Sequence, residues 1–356
     1  MTTETAPETQ EKIHIPVPAL TGYHTSDPHE TLSDSEQELY NQVLAPFTKE
    51  DYVIPEMPEE EKGGLTEDER FWLSRHCLLR YLRASKWDAQ VAIQKIEATL
   101  RWRRENRMDD PSYASSIEPE AVTGKHVMFG FDIHGRPAFY AFPSRQNTED
   151  VKQHLRFTFW IIERGIDMMA PGVETFDALI NFAERAAKPN YGEAMSIISI
   201  LHAHYPERLG ICSIINVPFF INAFLKLVLP FVDPVTRAKV KFNQSVLQDG
   251  VFTEDMLMKE WEGNRHFEYE HHKYWPALIE MCENNSKRWK AKWRALGGKI
   301  GISEWDYKHV DEDEKLGNGD LVVSGISAQL ASSTFEDNEK QTEVAVVPVV
   351  PETLAS

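Results

Sequence analysis

The chain has 356 residues, 42% of them hydrophobic, and a formal net charge of -18, which is enough apolar material for one large core or two modest ones. The acidity sits at the ends: residues 1–70 carry 17 acidic and 4 basic side chains, residues 311–356 carry 10 and 2, and the body between them is left at +3. That distribution argues against nucleic acid as a partner and lets a slightly basic body approach anionic lipid.

Cys77, Cys212 and Cys282 are too few and too scattered for a disulfide framework or a zinc site, which points to a reducing compartment. Residues 1–5 lack the basic and apolar regions of a signal peptide, and no stretch reaches 18 apolar residues. The expectation is a cytoplasmic monomer, at most peripherally associated with membranes such as the endoplasmic reticulum, lipid droplets or the cell periphery.

Residues 1–32 are rich in Thr, Pro and Glu without periodicity, which predicts disorder. Leu39, Tyr40, Val43, Leu44 and Phe47, spaced by three and four behind Ser33 or Ser35, predict a short helix over 33–47. A Pro/Glu linker follows over 52–64. Thr66 and the acidic residues after it cap one long amphipathic helix carrying Phe71, Trp72, Cys77, Leu78, Tyr81 and Leu82, and Asp88 caps another with Val91, Ile93, Ile96, Leu100 and Trp102. These helices predict an N-terminal bundle. From Val127 the period changes to a hairpin, with strands over 127–131 and 138–142 around a turn at 134–137. Next come a helix over 151–169, a strand over 178–182, a helix over 192–204 and a strand over 211–217. An oily helix over 219–232, a short basic-apolar segment at 240–242 and a helix around 253–261 follow. The last helix, over 271–296, is basic and Trp-rich near its end.

Such alternation predicts an α/β fold with an open mixed or parallel sheet. The expected division is a disordered tail with a short helix (1–65), a helical bundle (66–120), an α/β domain (121–270), a C-terminal helix (271–310) and an acidic disordered tail (311–356).

The stretch 205–239 carries the most chemistry. Glu207 and Arg208 stand in a turn before the strand, and Thr236, Arg237 and Lys239 return hydroxyl and cationic groups after the oily helix. That helix is apolar on nearly every side apart from Asn222 and Lys226, unlike a surface helix, and it is too short to cross a bilayer. A helix of this kind is expected to lie over an apolar ligand or to dip into a membrane surface.

Simpler readings compete. On residues alone, Glu207 and Arg208 pair with each other more readily than either binds a ligand. His202 with His204, and His271 with His272, lack a third metal ligand at suitable spacing, so no metal is expected. Trp289 and Trp293 fit an interfacial anchor or a packed amphipathic helix equally well. Neither G-x-S-x-G nor a P-loop is present, so no enzyme and no cofactor is expected. A haem or other hydrophobic-ligand carrier and a non-catalytic lipid-sensing scaffold stay open.

Four motifs, Leu79-Arg80-Tyr81-Leu82-Arg83-Ala84-Ser85-Lys86-Trp87, Gly135-Arg136-Pro137, Tyr205-Pro206-Glu207-Arg208-Leu209-Gly210 and Asp233-Pro234-Val235-Thr236-Arg237-Ala238-Lys239, resemble the CRAL-TRIO lipid-transfer family over roughly residues 66–270. Within it the chain is most similar to the fungal phosphatidylinositol transfer proteins. Gln146-Asn147-Thr148, Tyr274-Trp275-Pro276-Ala277-Leu278 and Gly297-Gly298-Lys299-Ile300-Gly301 extend the resemblance to the subgroup linked to pleiotropic azole resistance and sterol homeostasis.

The resemblance implies a sheet lining a lipid cavity and a gate helix sealing it, carrying Phe219, Phe224, Leu227, Val228 and Phe231. It carries the phosphoinositol contacts onto Lys86, Glu207, Thr236 and Lys239. A buried phosphodiester needs a cation and inositol hydroxyls need acceptors, which these residue types supply. Phe176 and Ala178 stand where phosphatidylcholine-binding members carry hydroxyl residues. The implied partners are therefore phosphatidylinositol, a sterol or other apolar second ligand, and a transiently visited membrane surface, with weak or no phosphatidylcholine binding.

Overall fold

The computed structural model describes residues 12–18, 26–184 and 189–309. Ser33 and Glu36 form a reciprocal capping box at α1 (Asp34–Phe47), and Thr66 and Glu69 form a second at α2 (Glu67–Trp72). The single long helix expected after Thr66 is two. The backbone leaves helical geometry at Leu73, and the Ser74 hydroxyl accepts from the Cys77 amide to start α3 (Arg75–Ala84), a local cap that competes with helix continuation. Asp88 caps α4 (Ala89–Glu105). Val43 of α1, Leu78 and Leu82 of α3, and Ile96 and Leu100 of α4 are fully buried in one core. A further helix, α5 (Tyr113–Ala121), carries Ser and Pro residues that mask its period in the sequence.

Five strands lie in chain order across one sheet: β1 (His126–Phe131), β2 (Pro137–Ala141), β3 (Phe176–Asn181), β4 (Leu209–Ile215) and β5 (Val240–Phe242). β1 and β2 are the antiparallel hairpin, and the remaining pairs are parallel. The crossovers contain α6 (Val151–Asp167), α7 (Tyr191–His204), α8 (Phe219–Val228) and α9 (Pro234–Ala238). The helix expected around 253–261 is instead two single 3-10 turns, Glu254–Met256 and Lys259–Trp261. Leu257 and Met258 run extended between them, and the second turn ends on left-handed Glu262. Met256, Leu257, Met258 and Trp261 are apolar because they are buried, not because they share a helical face.

α10 (His271–Ala295) packs against α6 and is followed by α11 (Glu304–Lys308). The Tyr274 hydroxyl accepts from the Met128 amide at 2.7 Å and donates to the Met128 carbonyl at 2.8 Å, satisfying the edge of β1. Trp289 and Trp293 are both buried, which decides for a packed helix over an interfacial anchor. The Trp293 indole donates to the Lys299 carbonyl at 3.0 Å, and the Gly301 amide reaches the Leu73 carbonyl at 2.9 Å, so the glycine-rich tail staples α10 to the bundle. Thr148 and Lys125 both donate to the buried Glu120 carboxylate, giving the Gln146-Asn147-Thr148 segment a structural role.

The expectation of disorder over 1–32 falls partly outside the described residues, and that for the acidic tail over 311–356 falls wholly outside them. The described parts make specific contacts. Ile13 bridges Phe267, and Asp27 bonds both His76 and Ser303.

Asp132, in the β1–β2 turn, accepts from the amides of His134 and Arg136 through Oδ1, and Asp177 of β3 accepts from the Ile211 amide at 2.9 Å. The second oxygen of each carboxyl is buried without a hydrogen-bond partner among the described residues. A Cβ on Gly210 would lie 2.2 Å from Asp177 Oδ1, so only glycine lets β4 approach here. Burial and then the neighbouring Asp132 carboxylate push the Asp177 carboxyl up to about 7, with Arg136 opposing. Its folded value exceeds the unfolded one, so its contribution is fully present at low pH and lost as pH rises through about 7. Asp177→Asn mimics the protonated form. Its melting temperature relative to wild type should rise between pH 5 and pH 8, and a pH-independent difference would exclude the assignment.

Candidate functional site

Parallel strands begin side by side, and this gathers residues distant in sequence at the amino ends of β3, β4 and β5. Glu174 lies two residues before β3, Glu207 two before β4 and Lys239 one before β5. Cys212 pairs with Val240, and the Lys239 amine donates to the Leu209 carbonyl at 2.6 Å. Glu207 and Lys239 are thus brought to one edge of the sheet from opposite ends of the α8 crossover.

Glu207 and Arg208 do not pair with each other. Arg208 is buried and donates to the Glu174 carbonyl at 2.9 Å. Glu207 sits in the left-handed region at φ 55° and turns its carboxylate to the Arg83 guanidinium of α3, where Nε donates at 2.7 Å. A non-glycine residue in that region is costly and concentrates at functional sites.

Arg83 also donates to Glu174 at 3.0 Å, and His29 contacts the same Glu174 oxygen at 2.6 Å. Burial pulls the Glu174 carboxyl upward, but the His29 bond and the Arg80 and Arg83 guanidinium groups outweigh it and hold the group well below the usual carboxylate range. Sequence reasoning missed Arg83, Glu174 and His29. Arg83 stood inside a quoted motif three residues from Lys86, whereas Glu174 and His29 carried no local signal.

The other expected contacts are less gathered. Lys86 is exposed at φ 53° and makes no hydrogen bond to Glu207, Thr236 or Lys239. Thr236 is half-buried in α9, its amide donating to the capping Asp233 at 2.9 Å. Phe176 and Ala178 are buried on one face of β3, in register with Leu209 and Cys212 of β4. His204, one of the histidines weighed as a metal ligand, stacks on Trp102 with centroids 4.6 Å apart and bonds Thr99, and burial lowers it to about 4.

The oily segment is an α-helix only to Val228. Leu229–Phe231 is a 3-10 turn carrying Pro230. Ile221, Phe224, Leu225 and Val228 follow the i, i+3, i+4, i+7 rule and turn inward, with Val228 4% exposed. Phe219 (88%), Leu227 (58%) and Phe231 (57%) face solvent instead. Val235 and Phe242 are exposed as well, as are the cations Lys226, Arg237 and Lys241 of the same crossover and strand. α7 buries no residue fully despite Met195, Ile197, Ile198, Ile200 and Leu201, and Ile211, Cys212 and Ile215 of β4 are also only half-covered. Apolar surface on this scale marks a ligand or membrane contact. No helix among the described residues is long and apolar enough to cross a membrane.

Residues 121–263 match the CRAL/TRIO domain and residues 39–98 the CRAL/TRIO N-terminal domain. The chain belongs to the CRAL/TRIO family. It is 33% identical to the phosphatidylinositol transfer protein PDR17 of Saccharomyces cerevisiae, over 88% of this chain and 94% of that protein. It is 41% identical to a CRAL-TRIO domain-containing protein of Schizosaccharomyces pombe over 81% of this chain, which spans only 28% of that longer protein. The crystal structure of Sfh5 superposes with a TM-score of 0.48 at 16% identity, covering 72% of this chain and 99% of that one.

Proposed function

We propose that this protein binds phosphatidylinositol and exchanges it at the cytoplasmic surface of membranes, acting as a non-catalytic carrier that presents the lipid to lipid metabolism. The observation that carries the reading is the joining of a charged edge, Glu207 with Lys239, to the half-covered apolar faces of α7, β4 and α8. A phospholipid has those two parts, a polar headgroup needing paired charges and acyl chains needing apolar walls. The 33% identity with a phosphatidylinositol transfer protein over nearly its whole length supports the same ligand class. Segment 219–232 is the gate, and its solvent-facing Phe219, Leu227 and Phe231, together with the exposed Lys226, Arg237 and Lys241, suit an anionic bilayer surface.

Phe176 and Ala178 offer no hydroxyl donor to a second phosphate, which favours an apolar second cargo such as a sterol, and with it a role in sterol homeostasis and azole resistance. Mass spectrometry of lipid extracted from the purified protein tests both points. Phosphatidylinositol should dominate the phospholipid fraction, and phosphatidylcholine as a major component, or equal transfer of the two, would overturn the headgroup selection.

A further inference from the structure

We infer that Arg83 is a positioning residue for the headgroup: it holds the Glu207 carboxylate in its ligand-accepting orientation while leaving one of its oxygens free. The inference rests on the phosphatidylinositol reading above. The Arg83 fork has two ends with different anchorage. Its NH2 is fixed on Glu174, which Arg80 and His29 also hold, so that end stays in place whatever happens at the surface. Its Nε donates to Glu207 Oε2, and Oε1 of Glu207 has no hydrogen-bond partner among the described residues.

The contact does little for stability, because Arg83 and Glu207 side chains are 23% and 39% exposed and ion pairs so placed contribute little. Glu207 nevertheless stands in the left-handed region, so the turn keeps a strained residue for a weak surface pair. Orientation is the better account. A carboxylate with one oxygen tethered to a rigid guanidinium presents the other, at fixed angle, to the hydroxyls of a polyol. A lysine has no planar fork and cannot span Glu174 and Glu207 together.

The test uses the full chain with Arg83→Lys, Arg83→Gln, Glu207→Ala and the double variant Arg83→Gln/Glu207→Ala. Each is assayed for transfer of labelled phosphatidylinositol between phosphatidylcholine vesicles and for melting temperature. Both Arg83 variants should lose at least tenfold in transfer, and the double variant should transfer no more slowly than Glu207→Ala alone. Arg83→Lys keeps a cation beside Glu174 and should hold the wild-type melting temperature, whereas Arg83→Gln removes one of the groups that hold that carboxylate ionised and should melt lower. Normal transfer by Arg83→Lys and Arg83→Gln, with Glu207→Ala impaired, would overturn the positioning role and leave the headgroup site standing. Losses that multiply in the double variant, or that track a lowered melting temperature in Arg83→Lys, would overturn it as well. Normal transfer by Glu207→Ala would remove the headgroup reading itself.

Discussion

Phosphatidylinositol transfer by the double variant Glu207→Ala/Lys239→Ala should fall to near background while the protein stays folded. If these two groups hold the headgroup as proposed, each truncation removes a charge-assisted hydrogen bond and leaves part of a desolvated headgroup unpaired, at about 1.5–3 kcal/mol apiece. That corresponds to roughly 10- to 100-fold per residue. The fold should tolerate the change. Among the described residues, Glu207 makes only the pair with Arg83, and the Lys239 amine makes one bond, to the Leu209 carbonyl. An apolar cargo such as a sterol has no phosphate or polyol to satisfy, so its transfer should survive in the same variant. A vesicle assay with labelled phosphatidylinositol and a fluorescent sterol separates the outcomes. Loss of both cargoes would indicate a damaged fold, and loss of neither would refute the headgroup assignment.

How far the sequence revealed this site follows from what is local. The caps at Ser33, Thr66 and Asp88 are read by amides three residues away, so these helix starts were legible. The break at Ser74 was not, because the apolar period runs on through it and two serviceable caps, Thr66 and Ser74, lie in one stretch. β5 has only three residues, too few to show alternation, and its strand character comes from pairing with β4. Glu207 and Lys239 stood in short motifs. Glu174, however, lies 91 residues from the Arg83 it binds, and His29 comes from a stretch with the composition of a disordered leader. Only the parallel β3–β4–β5 order, which sets three strand starts together, makes the charged edge one place.

That geometry also decides which gate substitution is informative. A charge at Ile221 or Val228 would be forced into the covered side of α8 and should lower the melting temperature, so loss of transfer there would say little. Phe219 and Leu227 face solvent, and Phe219→Asp or Leu227→Asp should leave the melting temperature unchanged. On the proposed docking, each removes a side chain whose burial in a bilayer interface would contribute about 1.5–3 kcal/mol, and each sets a carboxylate against anionic lipid. Transfer of every cargo should therefore slow by roughly 10- to 100-fold, and vesicle co-sedimentation should weaken in parallel, most on anionic membranes. Phosphatidylinositol and sterol should be affected alike, in contrast to the headgroup variant, because a gate at 219–232 would lie on the exit path of either cargo. Normal transfer by folded Leu227→Asp and Phe219→Asp would make 219–232 an ordinary packed element, with its exposed phenylalanines having no part in docking.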